Sequence, residues 1–591
     1  MSHPEIDLSA LQPYLEDLAR RLARADGDER RAMLLPALHH AQSLYGWLPR
    51  PVLEAISRAL WVPLADIHGV VEFYTMFYNE PMARRVVRIC EDPACALAGG
   101  EAVAAAIEAE LGVEHGGIAP DGGEAVGYER VPCLGMCEFA PAALDGARPA
   151  GDLSPEEVPE FLGGAYPEPG ARVYGGPFLT LGRVGQVDPG SLDDYREAGG
   201  YETVRRVVND PAGPEGAIET LSESGVLGRG GAQFPLGLKW RYTRGAPGTP
   251  AEKHIIANAD ESEPGTFKDR VLMEQDPFSL LEAMTLAAYA VGAENGWIFI
   301  RGEYPRAAVR LAQAIEAARE AQLLGRGLFG RPNFHFDIEL RLGAGAYICG
   351  EETALFEAIE GRRGFPRIKP PFPTTHGLFM QPTVVNNVET LVAALAVMRV
   401  GLDEWRALGT EDSPGTKWFC LSGHVERPGL YEVPFGLTLR EMIEMAGGIP
   451  GERAVQAVLM GGAAGNFVGP EQLDTVLSYE GAREAGVPLG SGVIMVFDET
   501  VDLRPVLFQL SRFFAHESCG KCFPCQIGTQ RQMEILSRVA LEGGPVSGDR
   551  DALLDIGFTM TQTSLCGLGQ TAASAVLSAL ERWPDLVPEQ P

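Results

Sequence analysis

Eight of the ten cysteines in this 591-residue chain fall into two tight groups, and no other feature limits its folding as much. The first group is Cys90, Cys95, Cys133 and Cys137; the second is Cys519, Cys522, Cys525 and Cys566. The N-terminal Met-Ser-His-Pro-Glu-Ile-Asp lacks the basic-then-apolar pattern of a signal peptide. A cytoplasmic chain is therefore expected, in which disulfides are rare and clustered thiols read as metal ligands. Three cysteines at C-x2-C-x2-C spacing, with a fourth about forty residues on, suit a cubane [4Fe–4S] cluster that takes one thiolate per iron. Structural zinc more often uses pairs separated by a longer span. The first group supplies two thiolates from each of two loops, which fits either a [2Fe–2S] centre or zinc, and spacing does not separate them.

Acidic residues outnumber basic ones by 80 to 49, a net charge of −31. Such a surface repels nucleic acid and anionic membranes, so neither is expected as a partner. The most apolar runs, Ala283–Ala293 and Leu391–Met398, are interrupted by Glu282, Glu294, Glu389 and Arg399. They are too short to span a bilayer, so no membrane insertion is expected.

A chain of this length holds several domains. Leu8, Leu11, Leu18 and Leu22, then Met33, Leu34, Leu38 and Ala41, recur at helical spacing and predict a helical unit from residue 5 over 1–82. Residues 83–165 read as a small α/β unit: a strand at Arg85–Ile89 leading to Cys90, a helix at Glu101–Leu111, a strand at Val126–Val131 leading to Cys133, and a closing helix at Pro155–Leu162. Density in Gly and Pro marks 166–190 as a linker. Over 191–405, strand-like runs (His254–Ala257, Gly296–Ile300, His335–Leu340) alternate with helical ones (Leu280–Val291, Arg306–Ala321), which predicts an α/β sheet. Short strands around a helix at Leu439–Ala446 give 406–500 a β-grasp-like character, and 501–591 is helical with the second cysteine group. The fold class is therefore multidomain α/β with helical units at both ends.

Gly228–Trp240 holds four glycines and a proline in its first ten residues, a run suited to bringing bare backbone N–H groups against a phosphate. Phe234, Lys239 and Trp240 would add a stacking face and a cation. A second glycine loop, Gly343–Glu352, ends in two carboxylates and contains Cys349, whereas Met460–Asn466 lacks a P-loop Lys-Ser/Thr and reads as a turn. Cys420 reads as a buried small hydrophobe, and His516, beside the cluster loop, as packing. Asn258–Thr266 is a polar run directly after a strand, the usual place for a ligand in an α/β sheet. Two clusters flanking a nucleotide-type site suit conversion between hydride and single-electron transfer, for which flavin is the apt cofactor.

Gly228–Trp240, Asn258–Arg270, Gly343–Leu355, Lys369–Pro373, Gln381–Thr390 and Glu517–Cys522 together resemble the NADH-binding flavoprotein subunit of complex I and its relatives. Residues 30–165 resemble the thioredoxin-like [2Fe–2S] subunit that partners it. The chain thus looks like a fusion of the two. The resemblance implies an SLBB domain in the β-grasp-like region, one [2Fe–2S] cluster, one [4Fe–4S] cluster, FMN and NAD(H). It also implies a larger iron–sulfur or catalytic subunit as partner. FMN would be held by Gly228, Gly230, Lys239, Asn258, Asp260, Gly350, Glu351, Asn386 and Asn387. Gly231, Phe234, Tyr242, Glu261, Glu263, Tyr347, Glu352 and Phe372 would face NADH. No acid or base is required, because hydride passes directly to the flavin.

Gln233 stands where the family usually has glycine, Leu236 where it has threonine, and Gln526 where an arginine follows the cubane loop. Ser564–Gln570 and Trp583–Leu586 look like the diaphorase subunits of soluble NAD-linked formate dehydrogenases and hydrogenases. Asn258–Pro264 and Tyr74–Phe77 instead look complex I-like, which keeps a fused NADH-input subunit of complex I as the alternative. A zinc-stabilised scaffold and a cofactor-free assembly subunit are the non-catalytic readings. Restoring the positive charge with Gln526→Arg is expected to raise the midpoint of the [4Fe–4S] cluster; an unchanged midpoint in a redox titration contradicts this.

Overall fold

The computed structural model describes residues 6–121, 124–541 and 543–589. The helical start expected at residue 5 lies outside the described residues. Five helices between Gln12 and Val71 build the N-terminal unit and bury Leu11, Leu18, Leu34, Leu38 and Ala41. Next come β1 (Arg85–Cys90), β2 (Ile118–Asp121), β3 (Glu124–Val131), β4 (Ala143–Asp145) and β5 (Arg148–Ala150), in the sheet order β2-β3-β1-β4-β5. β1 and β3 are parallel, with Cys90 opposite Val131. Both cysteine loops therefore leave the same end of the sheet, at the carboxyl ends of β1 and β3.

Residues 166–190, expected as a linker, are pinned along their length. They contain β6 (Val173–Gly175) and then run over the buried Glu432. The Glu432 carboxylate accepts the N–H groups of Leu179 (3.0 Å), Thr180 (3.0 Å) and Leu181 (2.8 Å), and the Thr416 hydroxyl (2.8 Å). A buried carboxylate is tolerated here because four donors converge on it.

The central sheet holds β7 (His254–Ala259), β8 (Asn295–Ile300), β9 (Gly325–Arg326), β10 (His335–Leu342) and β11 (Thr383–Asn387), in the order β11-β7-β8-β10-β9. Pairing is parallel from β11 through β10. The chain runs outward from β7 through β8 to β10, then returns to place β11 on the other side of β7. That reversal creates a switch point between β7 and β11, where loops part and leave a crevice at the carboxyl ends. Helix Pro277–Val291 is buried along its whole length, as is Val388–Val397 within the helix that follows β11. The longest apolar runs of the sequence are thus core helices, as their all-round hydrophobicity requires. Among the described residues no helix is long and apolar enough to cross a membrane.

The third sheet comprises β12 (Thr416–Gly423), β13 (Gly429–Pro434), β14 (Val455–Met460), β15 (Asn466–Val468) and β16 (Val493–Asp498), ordered β15-β14-β16-β12-β13-β6, with β6 from the preceding segment as its sixth strand. Helices Leu503–Glu517, Phe523–Leu541, Asp549–Thr563 and Ser574–Arg582 close the fold. Replacing Glu432 with Ala leaves four buried donors without an acceptor, so Glu432→Ala should cost about 2–4 kcal/mol. Hydrogen exchange should report it as early opening of residues 173–181.

Candidate functional site

Asn258 and Asn387 face each other in register at the carboxyl ends of β7 and β11. Around them lies a cavity of about 510 Å3, within the range of nucleotide-sized ligand pockets. Its wall includes Gly230, Gly231 and Ala232 from the first glycine loop and Asn258–Glu263 from the end of β7 apart from Ala259. Tyr347, Ile348, Gly350 and Glu351 come from the second glycine loop. Of the expected flavin residues, Gly230, Asn258, Asp260, Gly350, Glu351 and Asn387 line this cavity, and of the expected dinucleotide residues Gly231, Glu261, Glu263 and Tyr347 do.

Local chemistry holds these groups in place. Asn258 donates its side-chain N–H to Gly350 O at 2.7 Å, joining the strand end to the second loop. Glu351 caps helix Glu352–Ile359 by accepting from the N–H groups of Thr353 and Ala354, while Lys369 Nζ reaches both Glu351 (2.9 Å) and Glu352 (2.7 Å). Asp260 accepts the Ser262 hydroxyl with one oxygen, but its buried Oδ2 has no partner. Burial raises its carboxyl to about 8. That unpartnered oxygen is open to a ligand: protonated, it can donate to a ring nitrogen or carbonyl, and ionised, it can accept from a ring N–H, both of which a flavin ring edge offers.

Other expected residues stand apart from the cavity. Lys239 donates to Val385 O at 3.0 Å, with its ammonium 5.8 Å from the Phe234 ring centroid. Asn386 accepts from Trp240 Nε1 at 2.9 Å and so anchors the helix after the first loop to β11. Gly228 closes that loop by donating to Phe234 O. Phe234, Tyr242 and Phe372 are exposed, apolar faces left to solvent. Gln233 has φ +54°, in the left-handed region where a Cβ is strained, which explains why glycine is the natural occupant.

Several wall residues carry no signal in the sequence. The third glycine run, read as a turn, contributes Gly461 and Ala464, and Ala464 N–H donates to Glu263 Oε1 at 2.9 Å. Pro488, Gly490 and Ser491 join it, since the β-grasp-like unit folds over the cavity. Lys268 and Asp269 also line it; a lysine inside an ordinary helical pattern carries no signal that it will be buried. Burial raises Glu263 to about 7.

Both cysteine groups converge. Cys90, Cys95, Cys133 and Cys137 are buried, with Cys133 Sγ 3.8 Å from Cys137 Sγ and Gly135 N–H donating to Cys133 Sγ at 3.2 Å. Arg301 donates to Cys133 O at 2.6 Å and Arg270 to Gly135 O at 2.7 Å, fastening this loop to the central unit. In the C-terminal bundle a second cavity is bounded by Cys519, Cys522, Cys525 and Cys566. Burial raises Cys525 to about 12 and Cys566 to about 11, so these thiols need a cation to become ligands. As they stand, neither set closes around a single metal ion among the described residues. Four thiols with backbone N–H donors to sulfur are the donor chemistry an iron–sulfur cluster uses. Ile348 and Leu568 line this cavity and the nucleotide-sized one alike. Cys349 lies buried against the Tyr74 hydroxyl, Cys420 is buried, and His516 contacts Glu517 at 3.3 Å.

Family models match four parts of the chain: "Thioredoxin-like [2Fe-2S] ferredoxin" over 19–165, "Nuo51 FMN-binding domain" over 221–396, "SLBB domain" over 419–462, and "NADH-ubiquinone oxidoreductase-F iron-sulfur binding region" over 506–590. The second F subunit of the NADH-quinone oxidoreductase of Rhizobium meliloti is 42% identical over 407 residues, 68% of this chain and 95% of that protein. The alpha subunit of the NAD-reducing hydrogenase HoxS of Cupriavidus necator is 36% identical over 571 residues, 94% of this chain and 91% of that protein. A solved NAD+-reducing [NiFe]-hydrogenase in its air-oxidised state superposes with a TM-score of 0.82 at 33% identity, covering 95% of this chain and 94% of the other.

Gln233→Gly removes the left-handed Cβ and should stabilise the chain by about 1 kcal/mol. Thermal melting checks this, and parallel NADH and NADPH titrations test whether the loop sets nucleotide preference.

Proposed function

This chain belongs to the family of NAD(H)-dependent flavoproteins that includes the NADH-quinone oxidoreductase F subunits and the HoxS alpha subunit, and we propose that it is the diaphorase subunit of a soluble NAD-linked hydrogenase or formate dehydrogenase. It carries an FMN-binding domain, a thioredoxin-like [2Fe–2S] domain and a [4Fe–4S] region, and it is an NAD(H)-dependent oxidoreductase. The bound flavin supplies the exchange between hydride and single electrons, and the clusters supply the one-electron carriers.

One observation carries the mechanism: Ile348 and Leu568 line both cavities, so the two sites are neighbours. A flavin held in the larger cavity would therefore lie next to the cysteine-walled site. Asn258, Asp260, Gly350 and Asn387 orient the flavin, with Gly230 and Gly231 giving close backbone approach. Phe234, Tyr242 and Phe372 offer stacking faces for the dinucleotide, and Glu261, Glu263 and Tyr347 bound its reacting half. The β-grasp-like unit, through Gly461, Ala464 and Ser491, excludes water from one side. The protein's contribution is distance and orientation rather than acid–base chemistry.

Similarity to HoxS alpha runs through both the thioredoxin-like and flavin units, which supports the hydrogenase-type assembly; similarity to the Rhizobium meliloti relative covers 68% of the chain. The partner is then a larger iron–sulfur or catalytic subunit. A cytoplasmic location is part of this proposal, because reduced thiols and NAD(H) share that compartment. Complex I input remains the second reading, favoured by the Asn258–Pro264 and Tyr74–Phe77 motifs.

The purified chain should be coloured and should reduce an artificial acceptor with NADH; a colourless chain with stoichiometric zinc contradicts this reading. Identifying the co-purifying large subunit, and whether it holds molybdenum or tungsten or instead nickel and iron, tests the parent assembly. A carboxyl raised to about 7 at Glu263 is mostly neutral below that pH and ionised above it. Its charge then repels the anionic dinucleotide. NADH affinity should therefore weaken roughly fivefold, about 1 kcal/mol, as pH rises through 7. Glu263→Gln should flatten that profile in equilibrium titrations.

A further inference from the structure

Beneath the cavity lies a charge group that the flavin reading does not use. Glu389, at the start of helix Val388–Val400, receives Lys417 Nζ at 2.9 Å, Lys268 Nζ at 3.0 Å and Arg229 Nη1 at 3.5 Å. Lys268 also meets Asp269 at 2.9 Å. All five side chains are at most 3% exposed. Three cations therefore share two carboxylates in a dry part of the fold.

The cations' remaining partners are neutral oxygens: Thr416 O for Arg229, Asn387 Oδ1 for Lys268, and the Trp418 and Ser491 carbonyls for Lys417. Glu261, another acidic group of this wall, accepts from the N–H groups of Asp269 and Arg270 and from the Tyr304 hydroxyl. It lies within electrostatic reach of Lys268, but burial and the Asp269 charge raise its carboxyl above the usual range and favour its neutral form, so it does not cancel the excess. The crowding of like charge moves the protonation equilibria of the group. Burial, opposed by Glu389 and reinforced by Lys268 and Arg229, lowers Lys417 to about 8. Burial alone would raise Glu389, yet Lys417, Lys268 and Arg229 hold it at about 2.

Leaving a positive charge buried without compensation is expensive. Here the excess borders a ligand cavity, because Lys268 and Asp269 line it and Lys268 bonds the cavity residue Asn387. We propose that Arg229, Lys268 and Lys417 form a counter-charge for the negative charge of the bound flavin nucleotide, carried on its phosphate or on its reduced ring. The proposal rests on the flavin reading above. Lys268 alone of the three lines the cavity; Arg229 and Lys417 act as positioning residues through Glu389, which Lys268 also meets.

Two variants separate charge from packing. Lys417→Met removes one cation at nearly constant volume and balances the group. Lys417→Met combined with Glu389→Gln removes one charge of each sign and restores the excess. Full-length chains carrying both clusters, verified by visible spectrum, are freed of flavin and titrated with FMN and with riboflavin; the flavin midpoint is then measured. Lys417→Met is expected to narrow the preference for FMN over riboflavin about tenfold if the compensated charge is the phosphate. If that charge is the reduced ring, the midpoint falls and the preference is kept. In either case the double variant returns the affected quantity to the wild-type value. The proposal is overturned if Lys417→Met changes neither quantity, or if the double variant departs further than the single one, as packing damage would. Should Lys417→Met not fold, the double variant decides: wild-type values support the proposal and altered ones overturn it. A wild-type chain that binds no flavin would instead defeat the functional reading, which keeps the two failures distinct.

Discussion

The loop from Gly343 to Gly350 is held from three directions, and the geometry of the redox site depends on that grip. Behind it, Met76 N–H donates to Ala344 O at 2.9 Å and the Thr75 hydroxyl to Gly345 O at 2.9 Å, so the N-terminal unit braces the loop. Gly345 has φ +77°, and a Cβ there would lie 2.4 Å from Thr75 Oγ1, so only glycine permits this approach. In front, Asn258 holds Gly350 O. From the C-terminal bundle, Glu517 accepts Tyr347 N–H at 2.9 Å. Three units thus set the position of Ile348, which lines both cavities. Joining the thioredoxin-like unit to the flavin unit in one chain fixes this brace at high effective concentration.

Electrostatics divide the molecule in a consistent way. Its surface is strongly acidic, yet its buried ion pairs gather where the units meet. Arg270 pairs with Glu138 of the thioredoxin-like unit and with Glu274 beside it. Arg301 reaches the Cys133 carbonyl. Such buried pairs are weak sources of stability but strong arbiters of geometry, because a displaced partner leaves a bare charge. The first cluster loop is accordingly fixed in register against the unit that carries the nucleotide site.

Much of this was legible in the sequence, for identifiable reasons. Cysteine spacing is local chemistry, and both groups converge as their spacing requires. β7 and β8 announce themselves as largely apolar runs, and β1 and β10 as apolar residues interspersed with charged ones. β11 does not: Thr383–Asn387 is short and ends in two asparagines, although it creates the switch point that opens the crevice. Lys239 looked like the cation of the first glycine loop, but the fold turns it to Val385 O and brings Lys268 to the cavity instead. The parts contributed by Gly461, Ala464 and Pro488–Ser491 are tertiary, since they follow from how one unit lies over another and leave no mark on local pattern.

A flavin held in the larger cavity would lie across Ile348 and Leu568 from a cluster held by Cys519, Cys522, Cys525 and Cys566, an arrangement that would let the two share electrons. Anaerobic titration of the purified chain with NADH, followed by optical and electron paramagnetic resonance spectra, tests it most directly. Flavin bleaching should be accompanied by a reduced [4Fe–4S] signal in the same sample. Full flavin reduction with that cluster still oxidised, at potentials where a chemical reductant reduces it, would contradict the account.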